Sequence, residues 1–234
     1  MFQNLKGTEK GSFFSQSDPC RATAFSSLEL LIVIALIFTL IALSLPAMSK
    51  IQKRARDLGC ISNLSQWGKA TQLYAAEHND RLPKDGTPNG LSRDSGWYID
   101  LPRAASVLPY HDQPWRTNSE ALLPKSLWLC PSNPKRSNGN NLFHYCLNQH
   151  VNGRGTGKQA DLSSIRNPVA TIWMFDNGKE AAVAQQNNVH TNLHKNGAHF
   201  LFLDSHVAHH GNELYWDFTR NRGVTNNPAL RWVP

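Results

Sequence analysis

Signatures of catalysis are scarce in this 234-residue chain. It has no G-x-S-x-G elbow, no Walker loop, no dinucleotide-binding glycine fingerprint and no H-E-x-x-H pair, which removes the common routes to hydrolase, nucleotide and zinc-peptidase chemistry. The glycine-rich run G-R-G-T-G-K (153–158) lacks phosphate-loop spacing and follows no apolar strand, so it reads as a surface loop. No internal repeat or low-complexity tract occurs, which excludes a solenoid. Acidic residues are outnumbered, 17 against 24 basic, giving a net charge of +7. The cations are scattered over Lys50–Arg56, Lys135–Arg136, Arg154–Lys158 and Arg220–Arg231 rather than gathered into one patch. They describe a solvated surface, and nucleic acid is not an expected partner. With no catalytic constellation and no cofactor fingerprint, the chain is expected to be neither an enzyme nor a cofactor carrier.

Charge is nearly absent from residues 25–47, FSSLELLIVIALIFTLIALSLPA, where Glu29 is the single ionisable side chain. Twenty-three residues suffice to cross a bilayer, since roughly 20 apolar residues span the hydrocarbon core. An ionised carboxylate in hydrocarbon costs on the order of 3 kcal/mol and is by default functional. A secretory signal has a short apolar core and is removed with it, whereas here a polar leader of 24 residues ending in Ala24 precedes the apolar run. Beyond Pro46, Ile51, Ala55, Leu58, Ile61, Leu64, Ala70, Leu73 and Tyr74 recur at three- and four-residue intervals, which predicts an amphipathic helix over 49–79. Joined to the apolar run it forms a helix of about 55 residues, roughly 80 Å long, bent at Pro46 and loosened at Gly59. Two helices joined by a loop at Pro46 are the alternative.

The remainder is rich in turns. Residues 79–90 and 111–141 are punctuated by Pro, Asn, Gly and Ser, but Trp97, Tyr98, Leu101, Val107, Leu108, Trp115, Leu122, Leu127, Trp128 and Leu129 are interleaved, so these loops should cover a core. Strands are expected at Thr171–Phe175, Ala198–Leu203 and His206–His210, forming an antiparallel sheet packed on the helix. Alternation puts Phe200, Phe202, Asp204 and His206 on one strand face, and that aromatic face is the one expected against the helix. The organisation is therefore a leader (1–24), a membrane segment (25–47), an amphipathic extension (48–80) and an α+β domain (81–234).

The run A-F-S-S-L-E-L-L-I-V-I resembles the prepilin cleavage and methylation motif, with Phe25 as the first mature residue and Glu29 as the fifth. Ala24 stands where Gly is usual and Ser26 where Thr is usual. A second resemblance lies near the C-terminus, where L-H-K-N-G-A-H-F-L-F-L-D-S-H-V places His194 ten positions before Asp204, as in prepilin-type processing-associated H-X9-DG proteins. C-I-S-N-L (60–64), L-P-Y (108–110), P-W (114–115), C-P-S (130–132), Y-C-L-N (145–148) and I-R-N-P-V-A-T-I (165–172) follow the same family's order. Ser205 replaces the family's Gly, which implies a wider or strained turn.

Together the resemblances imply a pilin-like fold, a long N-terminal helix on a small antiparallel sheet, in a type IV pilin or type II secretion pseudopilin. They imply cleavage between Ala24 and Phe25, N-methylation of Phe25, and an assembly role for Phe25, Glu29 and Pro46. The partners implied are a prepilin peptidase and methyltransferase, other pilin-like subunits, the secretion or pilus assembly platform, and membrane lipid. Lys6, Lys10 and Arg21 favour a cytoplasmic leader but Lys50–Arg56 oppose it, so the family resemblance decides for a single-pass inner-membrane protein with its C-terminal domain outside. A membrane-anchored periplasmic or cell-surface binding protein that never polymerises is the alternative.

Export permits disulfides, and processing leaves Cys60, Cys130 and Cys146. Cys60–Cys130 is the preferred bridge, tying the helix to the C-P-S loop, and Cys130–Cys146 closes a shorter one. His190, His194, His199, His206, His209 and His210 crowd into 21 residues, yet no zinc spacing occurs. No metal is expected. His194 is instead expected to hydrogen-bond the turn, which also separates Asp204 from His206.

Overall fold

The computed structural model describes residues 26–153, 158–225 and 227–234, excluding the side chains of 46 and 47. The leader, Ala24 and Phe25 lie outside the described residues. Two compact units are present, one ending at Ala47 and the other running Met48–Pro234.

Helix α1 covers Ser27–Glu77, 51 residues without interruption, so no loop divides it at Pro46. Its apolar half contains a window of 18 residues with mean hydropathy 2.8, none of it buried, and is long and apolar enough to cross a membrane. Polar side chains within this stretch are satisfied by the helix itself, as Thr39 donates to the Leu36 carbonyl at 2.8 Å and Ser44 to that of Leu40 at 2.7 Å. A hydrocarbon surrounding demands such internal pairing.

The buried stripe on the second half of α1 is Cys60, Leu64, Trp67, Ala70, Thr71 and Ala75, at the spacing of one helix face. Six of the eight residues expected on that face stand elsewhere: Ile51, Ala55, Leu58 and Leu73 are exposed, and Ile61 and Tyr74 are half-buried. Trp67 decides the phase. Its ring packs on Trp128 at 4.8 Å and Trp97 at 5.7 Å, and its indole N–H donates to the Leu127 carbonyl at 3.2 Å. Trp97 and Tyr98 open α2 (Trp97–Ala104), and the turn-rich segments that follow deliver Tyr110, Trp115 and Phe143 to the same cluster. The loops therefore do cover a core, although Leu108 and Leu122 remain exposed. Gly59 does not loosen the helix: a Cβ there would lie 3.0 Å from Pro131 Cγ, so the glycine admits the C-P-S loop.

The sheet comprises β1 (Tyr145–Asn148), β2 (Ile172–Asp176), β3 (Val183–Ala184), β4 (Gly197–Phe202) and β5 (Val207–Gly211), in the order β3-β1-β2-β4-β5. The α+β class stands, but the sheet is mixed, because β3 runs parallel to β1 while the other pairs are antiparallel. A small ribbon of β6 (Trp216–Asp217) and β7 (Arg222–Gly223) lies beyond it.

The sheet face against α1 is not the aromatic one. Tyr145, Leu147, Trp173, Met174 and Leu201 join the helix residues in one core, and Trp173 donates to Thr71 Oγ1 at 2.9 Å. Phe200 and Phe202 belong to a second core with Phe175, Tyr215, Leu230 and Trp232, where Trp232 meets Phe175 edge-on at 5.2 Å. The C-terminal segment supplies the partner surface for those rings. A sheet buried on both faces leaves alternation silent about which layer each face meets.

One irregularity sets the phase of β2. Ile172 pairs with Phe202 and Met174 with Leu201, so Trp173 is an extra residue opposite a single step of β4. Trp173 and Met174 consequently both belong to the helix-side core, and Asp176, two residues after Met174, points the same way.

Candidate functional site: the helix start and a buried histidine cluster

Two places concentrate polar chemistry. At the start of α1, the Ser26 carbonyl accepts the first helical N–H, from Leu30, at 3.1 Å. Ser26 Oγ accepts the Leu28 N–H at 3.3 Å, and Glu29 Oε2 accepts the Ser26 N–H at 3.0 Å. This is a capping box, in which the first and fourth residues satisfy otherwise orphaned donors. Glu29 thus faces the helix N-terminus, where the macrodipole favours an anion. Phe25 is outside the described residues. Pro46 lies inside the helix span.

The second place is the junction of α1 with the sheet. His194 sits just before β4 and is 1% exposed. Its Nδ1 lies 2.9 Å from Oδ1 of Asp57 on α1, which also accepts the Ser132 hydroxyl at 2.8 Å. On the other side, its Nε2 lies 3.3 Å from Oδ2 of Asp176 at the end of β2. His199 on β4 stacks near it with ring centroids 3.9 Å apart, and its Nδ1 is 3.5 Å from the same Asp176 oxygen. His209 on β5 approaches the His194 carbonyl with its Nε2 at 2.6 Å.

Burial lowers the His194 pKa, and this outweighs the attraction of Asp176 and Asp57. Burial pushes the Asp57 carboxyl up, but its hydrogen bonds with His194 and Ser132 prevail and hold it below the usual range. The two directions agree on a neutral imidazole donating Nδ1–H to an ionised Asp57. The Ser132 hydroxyl gives its proton to Asp57, not to the imidazole, so the order of groups differs from the nucleophile, base and orienter of a hydrolase.

His194 therefore does not hydrogen-bond the hairpin turn: Asp57 on the helix takes its place. Asp204 lies elsewhere, accepting the His206 N–H at 3.1 Å and meeting that ring's Nδ1 at 2.6 Å. The turn brings Asp204 and His206 together instead of separating them. It is a three-residue loop in which the Ser205 N–H reaches the Phe202 carbonyl at 2.9 Å and Ser205 takes φ +73°. That is the left-handed position of a type I turn followed by a G1 bulge, the place glycine suits best.

Cys60 and Cys130 form the disulfide, and Cys146 is a buried free thiol in the far core. Cys130 Sγ lies 3.5 Å from His194 Nε2. Three residues of the cluster escaped the sequence reading: Asp57, Ser132 and Asp176. Asp57 is the only acid in the basic stretch 50–56 and its sequel, and Asp176 ends an apolar strand before Asn-Gly, which were the available signals. Compared with family models, curated proteins and solved structures, the chain gives no match.

Proposed function

We propose that this chain is a pilin-like structural subunit, cut between Ala24 and Phe25 by a prepilin peptidase, N-methylated at Phe25, and assembled through its N-terminal helix into a type IV pilus or type II secretion pseudopilus. In this reading it is a single-pass protein of the cytoplasmic membrane with its C-terminal domain outside, and it is modified rather than catalytic. The observation that carries the proposal is one arrangement at the start of α1. In sequence a polar leader, a small residue, an aromatic and a lone acid precede an apolar run whose most apolar 18-residue window holds no buried residue.

An apolar helix without a partner needs lipid or neighbouring helices. Inside lipid the acid needs a cation, and the amine freed at Phe25 would lie one residue before Ser26, whose N–H Glu29 already holds. Docking a further subunit offers the same carboxylate to that subunit's amine.

Mass spectrometry of the N-terminus, on protein recovered from its own membranes, tests the processing. A methylated Phe25 is expected, and an intact Met1 refutes the proposal. Glu29→Ala tests assembly. Fibre or pseudopilus incorporation should fall at least tenfold with the level of folded protein unchanged; incorporation unaltered by the substitution would refute the assembly role of Glu29, and wild-type protein that enters no fibre would leave an anchored, non-polymerising protein.

A further inference from the structure

We propose that Asp176, His194 and His199 form a binding site for one divalent cation of the zinc class, buried between α1 and the sheet. Three separate pieces of chain deliver the donors: the end of β2, the loop before β4, and β4 itself. Asp176 Oδ2 lies 3.3 Å from His194 Nε2 and 3.5 Å from His199 Nδ1, and one donor atom from each residue falls within 4.8 Å of the others. Zinc binds nitrogen and carboxylate oxygen at about 2.0–2.2 Å, so the edges of its ligand tetrahedron measure roughly 3.3–3.5 Å. The two edges that meet at Asp176 have the spacing of ligands around an ion.

Unmet hydrogen-bonding capacity marks the same spot. Asp176 Oδ1 and His199 Nδ1 are buried with no hydrogen-bond partner, although Asp176 is fully buried and His199 is 3% exposed. Leaving such groups unpaired is unfavourable, and more so when they are charged. Two carboxylates, Asp57 and Asp176, meet imidazoles here, and a dication would balance them. Arg54 and Lys195 stand at the rim of the adjoining cleft.

The surroundings already hold the ligands as an outer shell would. The Asp57 carboxylate engages His194 Nδ1, which leaves Nε2 as the lone-pair nitrogen facing Asp176. The His199 N–H donates to Asp176 Oδ2 at 2.7 Å and fixes that carboxylate. An open cleft of ≈ 430 Å³, lined by Asp57, Leu58, His194, His199 and His209, supplies an approach and room for a solvent ligand in the fourth position. Cys60 and Cys130 also stand within ligand range of His194, but their sulfurs are joined to each other. The site belongs to the oxidised chain and uses nitrogen and oxygen alone.

The test uses the full chain, oxidised, in detergent, stripped with a chelator and dialysed against low-micromolar zinc chloride. One zinc per chain is expected, together with a raised melting temperature. Cobalt(II) should give the visible bands of a tetrahedral site with no thiolate charge-transfer band. His199→Ala should abolish binding, and Asp57→Asn should weaken it about 10–100-fold without changing stoichiometry. His206→Ala should leave it intact. Wild-type protein that binds no zinc overturns the proposal, as does His199→Ala protein that retains one equivalent at unchanged affinity. A sulfur-ligated cobalt spectrum also overturns it. Near-UV circular dichroism of each variant separates lost binding from lost folding.

Discussion

Replacing Gly68 by alanine should destabilise the protein, and replacing Ser205 by glycine should partly reverse that loss. Gly68 is a helix-interior glycine, so propensity alone favours Gly68→Ala by about 1 kcal/mol. Sterics oppose it. The new Cβ would lie 2.9 Å from Leu201 Cδ1, 3.1 Å from Ser205 Cβ and 3.3 Å from Ser205 Cα. Overpacking of that kind costs typically 1–3 kcal/mol, which leaves a net loss of about 1 kcal/mol. Ser205 holds φ +73° and its hydroxyl is buried without a partner. Glycine removes a left-handed penalty of roughly 1 kcal/mol and the orphaned hydroxyl, while returning up to about 1 kcal/mol of unfolded-chain entropy. Ser205→Gly alone should therefore stabilise by about 1 kcal/mol.

In the double variant the Cβ–Cβ contact is gone and Leu201 can rotate, so the two effects should not add. A coupling of about 1 kcal/mol is expected, inside the range seen for touching residues. Urea unfolding of the full chain in detergent, followed by tryptophan fluorescence, reads all four corners of the cycle through Trp67. Additivity within about 0.3 kcal/mol would refute the claimed contact, and destabilisation by Ser205→Gly would refute the assignment of strain to the turn.

Three further outcomes follow from the same packing. Losing the Cys60–Cys130 bridge, which spans 70 residues, should cost about 4 kcal/mol by chain entropy, measured as the shift in urea midpoint of the Cys60→Ser, Cys130→Ser chain. In the folded state the Cys146 thiol, pushed up by burial, should resist alkylation that labels it at once in denaturant. His144 accepts the Cys130 N–H at 3.1 Å and its Nε2 sits 3.2 Å from the Lys135 carbonyl, a neutral pattern that burial reinforces by lowering its pKa to about 4. The unfolded imidazole binds a proton first, so this contribution is complete above about pH 6.5 and is lost as pH falls toward 4, worth about 3 kcal/mol. Nuclear magnetic resonance of the imidazole should show no titration of His144 above pH 5, and a midpoint near 6.5 would refute it.

How far the chain could be read in advance varies with the kind of information. Helix α1 was legible because length, apolar content and three-to-four periodicity all act locally. Strands β2, β4 and β5 were legible to within a residue or two for the same reason. The helix face was misassigned because Trp67 and Thr71 carry weak hydropathy but large packing value, and the partners of Trp67, Cys60 and Thr71, which are Trp97, Trp128, Cys130 and Trp173, lie 30 to 102 residues away. The aromatic face of β4 was assigned to the wrong layer because its partner, Trp232, lies at the far end of the chain. β3, two residues long, carries no pattern at all. His194 and its Asp204 spacing drew attention to the right imidazole for the wrong contact, since no periodicity links Asp57, Asp176 and His194, which only the tertiary fold gathers.

The extra residue in β2 has a consequence for parity. Up to Trp173 the strand shows odd-numbered side chains to α1, and from Met174 onward it shows even-numbered ones, so Asp176 reaches the imidazoles only because the strand absorbs its extra residue in a bulge. Excising Trp173 would restore strict pleating and leave Met174 opposite Leu201 with the carboxylate still facing both histidines, whereas flattening the bulge with Trp173 in place would turn Asp176 through half a revolution into the layer of Phe200 and Trp232. The bulge thereby decides whether the end of this strand is greasy or ionic, and no substitution at Asp176 itself would be needed to erase the cluster.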